Sequence, residues 1–116
     1  MTTDNPLFII PVLTGLILVT FGFIMLKFPP KKINSLYGYR TSSSMKSKKR
    51  WDFAQKFSSK EMIKLGILLA ISGLIGLIYH PKGITAMIIG LGLIISVVVI
   101  LIIKVESAIK KKFNTD

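Results

Sequence analysis

Apolar positions gather into three blocks, separated by one long polar island and one short turn. The first block spans 6–28 (PLFIIPVLTGLILVTFGFIMLKF), the second 62–79 (MIKLGILLAISGLIGLIY) and the third 84–103, which carries no charge. Crossing a hydrocarbon layer of about 30 Å takes roughly 20 helical residues. A soluble core would instead show mixed periodic stripes. The pattern predicts an all-α membrane protein, a single domain over 1–116 with three transmembrane helices. Pro6 suits a first helical turn, where its missing N–H has no partner anyway, and Pro11 lies near enough to the start to kink one turn without abolishing the helix. Pro29-Pro30 ends the first helix, and His80-Pro81-Lys82-Gly83 is a tight turn.

The island, 29–61, predicts a cap between helices one and two. Its first half, with Asn34, Ser35 and Gly38, reads as a turn-rich loop. From about Ser44 to Lys60 there is neither Gly nor Pro. Trp51, Phe53, Ala54 and Phe57 share one face at 100° per residue, and most lysines lie elsewhere, although Arg50 falls inside the apolar arc. This predicts an imperfect amphipathic helix lying along a headgroup surface.

Charge then fixes the orientation expected of the helices. The net charge of +11 would suggest nucleic acid in a soluble protein. Here the cations flank apolar blocks, which favours anionic lipid headgroups as partners and makes nucleic acid a poor one. The stretch from Lys27 to Lys60 holds ten of the 16 Lys and Arg, and the C-terminal tail adds Lys104 and Lys110 to Lys112. The other side offers Lys82. The positive-inside rule places island and C-terminus in the cytoplasm and the N-terminus outside, in a multi-pass protein of the bacterial plasma membrane. The first block lacks a basic leader and a small-residue cleavage site, so it is expected to be retained.

Small residues predict where helices meet, because lipid-embedded helices associate by close backbone approach. Helix two presents Gly66, Ala70, Gly73 and Gly76; helix three presents Ala86 and Gly90, with Gly92 and Ser96 as a second pair; helix one has Gly15 and Gly22. The same seams leave a homo-oligomer open.

Catalytic chemistry is thin. No Asp or Glu interrupts the apolar blocks, which argues against a proton-coupled exporter and against intramembrane catalysis. With no cysteine there is no thiol nucleophile or thiolate site. His80, without a second His or Cys near it, reads as a turn residue and not a metal ligand. Asp52 and Glu61 lie among lysines and read as solvated ion pairs. We expect no catalytic residue, metal, cofactor or enzyme activity.

The island carries Asn34, then Tyr37-Gly38-Tyr39-Arg40-Thr41, then Ser44-Met45-Lys46, Trp51 and Ala54. These residues resemble the signature of the SdpI/YfhL family of bacterial membrane proteins, named for an immunity protein against a sporulation-delaying toxin. Ser42 stands where the family usually has Pro, Ser47 where Asn is common, and Gln55 where Asn is usual. Longer members add an N-terminal membrane region, so this chain resembles a short form. The resemblance implies protection against a secreted, membrane-active peptide toxin, by binding it or blocking its action in the membrane. The alternative is a signalling or scaffold protein whose island recruits a cytoplasmic regulator or anionic lipid. On either view Asn34, Tyr37, Gly38, Tyr39, Arg40, Thr41 and Trp51 are the candidate binding residues. Arg40 offers a planar fork of donors suited to phosphate, carboxylate or backbone carbonyls. Arg40 and Trp51 could equally well serve only to order the cap.

Overall fold

The structure, a computed structural model, describes residues 5–79 and 81–113. His80, weighed above as a turn residue, lies outside the described residues. Three helices follow one another: α1, Pro6–Lys27; α2, Lys48–Ser72, prolonged by a 3-10 turn at Gly73–Leu77; and α3, Gly83–Lys112. There is no strand among the described residues.

Asn5 sets the start of α1. Its Oδ1 accepts the Leu7 N–H at 3.1 Å, and its Nδ2 donates to the carbonyls of Gly76 (3.2 Å) and Tyr79 (2.9 Å). One side chain therefore caps α1 and ties it to the end of the 3-10 turn, so α1 and α2 run antiparallel. The helix continues through Pro11, which is buried.

The α1–α2 seam is made of small residues at backbone contact. Gly15 lies against the Gly66 carbonyl and Ala70, and Gly22 against Ser59 and Ile63. Gly73 meets Val12, and a Cβ on Gly76 would stand 2.5 Å from the Phe8 nitrogen. On α3, Ala86 is fully buried and Gly90 rests on Ile10. A Cβ on Gly92 would meet nothing within 4 Å among the described residues, and Ser96 turns its hydroxyl back to the Gly92 carbonyl at 2.8 Å.

Two elements differ from the sequence expectation. The cap helix and the second apolar block, predicted as separate pieces with the first lying along a surface, form one helix. The reason is the stripe Trp51, Ala54, Gln55, Ser58, Glu61, Leu65, Leu69, all buried. It keeps the same face inward across the polar–apolar boundary, so nothing asks the chain to bend there. The third helix likewise runs on past Ile103, because Val105 and Ile109 continue its inward stripe and pack with Ala54 as a small core, joined by Tyr39, Phe53, Phe57 and Phe113.

Helices α1 and α3 are long and apolar enough to cross a membrane. Large apolar side chains stand outward along the bundle, among them Leu13, Leu16 and Phe23 on α1, Leu68 on α2 and Ile88 and Ile95 on α3. Water-soluble monomers rarely expose contiguous apolar surface on this scale. The long dimension of 51 Å exceeds a hydrocarbon layer of about 30 Å, leaving one end of the bundle to carry the polar segment.

Candidate functional site

That end is a cap built from the loop 28–47, the first half of α2 and the last turns of α3. Trp51 is fully buried beneath the loop and donates its indole N–H to the Pro30 carbonyl at 2.6 Å. Asn34 shapes the next turn: its Oδ1 accepts from Leu36 N (2.9 Å) and Tyr37 N (2.7 Å). The Tyr37 hydroxyl donates back to the Phe28 carbonyl at 2.8 Å, and Arg40 Nε donates to the Asn34 carbonyl at 2.8 Å.

Gly38 is required twice over. Its φ of +110° lies where side chains are rarely tolerated. A Cβ there would also stand 2.6 Å from Gln55 Oε1. That close passage lets Gln55 grip the backbone of Tyr39 on both sides, Oε1 accepting from its N–H at 2.6 Å and Nε2 donating to its carbonyl at 2.7 Å. Gln55, where the family usually has Asn, thus holds the motif to α2.

The centre of the cap is Glu106 on α3. Its Oε2 accepts from the Tyr39 hydroxyl (2.7 Å) and the Thr41 hydroxyl (2.8 Å), and its Oε1 from Ser43. Burial pushes the Glu106 carboxyl up, but the bonds from Ser43, Tyr39 and Thr41 and the nearby Arg50 charge outweigh it and hold the group below the ordinary carboxylate range. Burial first, and then the bond to Glu106 and its charge, raise the Tyr39 phenol.

A pH dependence follows. Because the folded cap favours the Glu106 carboxylate, that contribution is complete at neutral pH and disappears as pH falls below the ordinary carboxylate range. Tyr39 works in the opposite sense, its contribution being lost as pH rises above about 10. Fluorescence of Trp51, the single tryptophan, is expected to stay constant near neutrality and to red-shift on acidification. In Glu106→Gln that acid limb should shrink. A transition of the wild type above the ordinary carboxylate range, or one unchanged by the substitution, would count against this role.

Arg50 explains the imperfect amphipathic pattern. It is buried in the apolar arc, Nε donating to the Ser43 carbonyl at 2.8 Å and Nη1 to the Phe113 carbonyl at 3.5 Å, with the guanidinium 5.5 Å from the Phe113 ring centre. Ser44, fully buried, donates to the Tyr39 and Thr41 carbonyls and accepts from Thr41 N. Ser47 caps α2 by accepting from Arg50 N at 3.2 Å, a task Asn performs as well.

The structure therefore brings Asn34, Tyr37, Gly38, Tyr39, Thr41 and Trp51 into one interlocked cap. Arg40 differs, being exposed and using only Nε toward Asn34 among the described residues. The small residues Gly66, Ala70, Gly73, Gly76, Ala86 and Gly90 lie far from it, at helix contacts. Sequence reasoning missed Glu106, Gln55, Ser43 and Arg50 as members of the site. The available signals were a lone acid among the basic residues ending α3 and an arginine inside an apolar arc. Glu61 also departs from expectation. Asp52 pairs with Lys48 at the surface (2.6 Å), whereas the Glu61 side chain is only 7% exposed. No three His, Cys, Asp or Glu among the described residues come together as a metal site.

Comparison with known proteins gives a consistent grouping. The profile of the SdpI/YfhL protein family matches residues 31–105. The uncharacterized protein YfhL of Bacillus subtilis (strain 168) is 40% identical over 67 residues, which cover 54% of this chain and 61% of that relative. The match thus spans less than two thirds of the relative's length. No solved structure matches.

Proposed function

We propose, from the premise that this chain belongs to the SdpI/YfhL protein family, that it gives its cell immunity to a secreted, membrane-active peptide toxin. The protein is a three-span protein of the bacterial plasma membrane on this proposal. The apolar part of α2 and its 3-10 turn form the third span; the turn's rise of about 2.0 Å per residue, against 1.5 Å in an α-helix, lengthens a short stretch. The basic cap and the C-terminus face the cytoplasm and the N-terminus lies outside, as the lysine distribution favours.

The observation that carries the proposal is how the family motif is used. Most of its residues are drawn into bonds within the cap, Tyr39 and Trp51 through their side chains to Glu106 and Pro30 and the Tyr39 backbone through Gln55. Outside those bonds, the apolar surface of the bundle, the Arg40 fork, Leu36 and the lysines of the cap face outward. A toxin that acts in the bilayer meets that apolar surface first, and the bundle either holds it or blocks its assembly. Expression in a toxin-sensitive bacterium, challenged with secreted peptide toxins, should raise survival over an empty vector. Arg40→Ala at matched membrane levels should retain most of the protection. Loss of all protection in Arg40→Ala would move the toxin contact to the cap, and no protection by the wild type would reject the proposal.

A further inference from the structure

Glu61 lies on α2 immediately before the apolar stretch that starts at Met62. Lys64 Nζ stands 3.4 Å from its Oε2 and Lys104 Nζ 3.4 Å from its Oε1. Neither contact satisfies Oε1, which is buried and has no hydrogen-bond partner among the described residues. A buried acceptor left without its hydrogen bond is costly, and native proteins usually supply its donor. Glu61 lines an open groove of about 470 Å³ between α2 and α3, with Phe57, Ile103, Lys104, Ser107 and Lys111 along its sides.

The place of the groove limits what fills it. Ile103 ends the charge-free run of α3 and Lys104 is its first cation. On the membrane placement proposed above, on which this inference rests, the groove opens at headgroup depth, with apolar wall toward the bilayer and lysines toward water. Glu61 meets Lys64 and Lys104, and Lys111 adds a third lysine at the groove, so positive charge is in excess there and an anionic phosphodiester offsets it. The orphaned Oε1 then needs a donor from the same molecule.

We infer that the groove binds the headgroup of an anionic glycerophospholipid carrying a free hydroxyl, of which phosphatidylglycerol is the simplest. The phosphodiester lies between Lys104 and Lys111, a headgroup hydroxyl donates to Glu61 Oε1, and an acyl chain follows Ile103 and Phe57. This goes beyond a diffuse attraction of basic residues to anionic lipid, because it demands the hydroxyl as well as the charge.

The full-length chain in detergent, supplied with one lipid at a time, tests this by native mass spectrometry. Phosphatidylglycerol is compared with phosphatidylethanol, equal in charge but without a hydroxyl, and with phosphatidylcholine, which has no net charge and no N–H. Wild type should retain phosphatidylglycerol about tenfold better than phosphatidylethanol, as expected for one bond to a charged group. Both should exceed phosphatidylcholine. Glu61→Ala should bring the two anionic lipids to within about twofold of each other while leaving both above phosphatidylcholine, since the lysines remain. Lys104→Gln with Lys111→Gln should weaken both. Equal retention of the two anionic lipids by the wild type would overturn the inference without needing any variant to fold. So would discrimination that survives in a folded Glu61→Ala protein. Because no toxin is involved, failed protection leaves this result standing, whereas extraction of the chain from membranes by alkaline washing would undo the placement itself.

Discussion

Replacing Gly66 with leucine is expected to force α1 away from α2 and to cost more than about 3 kcal/mol, beyond the usual 1–3 kcal/mol for an overpacked core. A Cβ at this position alone would stand 2.7 Å from the Gly15 carbonyl oxygen and 2.8 Å from Val19 Cγ2. The first obstacle is backbone, which cannot rotate aside, so relief requires the helices to separate. Separation would then loosen the neighbouring contacts at Ala70, Gly73 and Gly22, because they share the same interhelical distance. Gly92→Leu is the internal control: nothing lies within 4 Å of a Cβ there. Its effect should remain within about 0.5 kcal/mol. Thermal unfolding of both variants in the same detergent checks the contrast. Equal midpoints would mean that the seam is not a close backbone contact.

Trp51→Ala should have an effect of comparable size at the other end of the molecule. Truncating a fully buried Trp costs about 3–5 kcal/mol, a large share of the 5–15 kcal/mol by which a domain is stable. The change also leaves the buried Pro30 carbonyl without its donor. Trp51→Phe keeps most of the ring volume and loses chiefly that bond, for about 1–3 kcal/mol. The α1–α2 seam lies beyond the cap, so damage should begin in the loop. Limited trypsin digestion is expected to cut between Lys31 and Lys48 in Trp51→Ala well before the wild type, with Trp51→Phe between them. Cleavage first within the bundle would show that Trp51 does not hold the loop.

Hydropathy conveyed the class of fold well, and for a physical reason. A run such as 84–103 is decided by its own length and lack of charge, without reference to any other part of the chain. The division of α2 was harder to read. A hydropathy window sees the change from Phe57 to Met62 as a boundary, but the helix is guided by its buried stripe, in which Ser58 and Glu61 replace apolar residues without leaving the inward face. Glu106 was equally hidden. In sequence it is one acid in a basic tail, and its importance depends on Tyr39, 67 residues away, meeting it in space. Arg50 did leave a trace, as the cation that spoiled an otherwise apolar arc, but its partners at Ser43 and Phe113 come from two different segments. The motif around Gly38 was legible through its resemblance to the SdpI/YfhL signature. Its bonds to Gln55 and Pro30 depend on how the loop folds back over α2 and were not visible in the chain.

Membrane potential in living cells distinguishes immunity at the bilayer from a signalling role most directly. Sensitive bacteria loaded with a potential-reporting dye would be exposed to a depolarising peptide toxin, with and without this chain at a defined membrane level. Immunity at the membrane predicts that the potential is held in cells carrying the chain and collapses in those without it, from the first minutes of exposure. Equal collapse in both, whether or not the cells later recover, would contradict that claim and leave any protection to a downstream response.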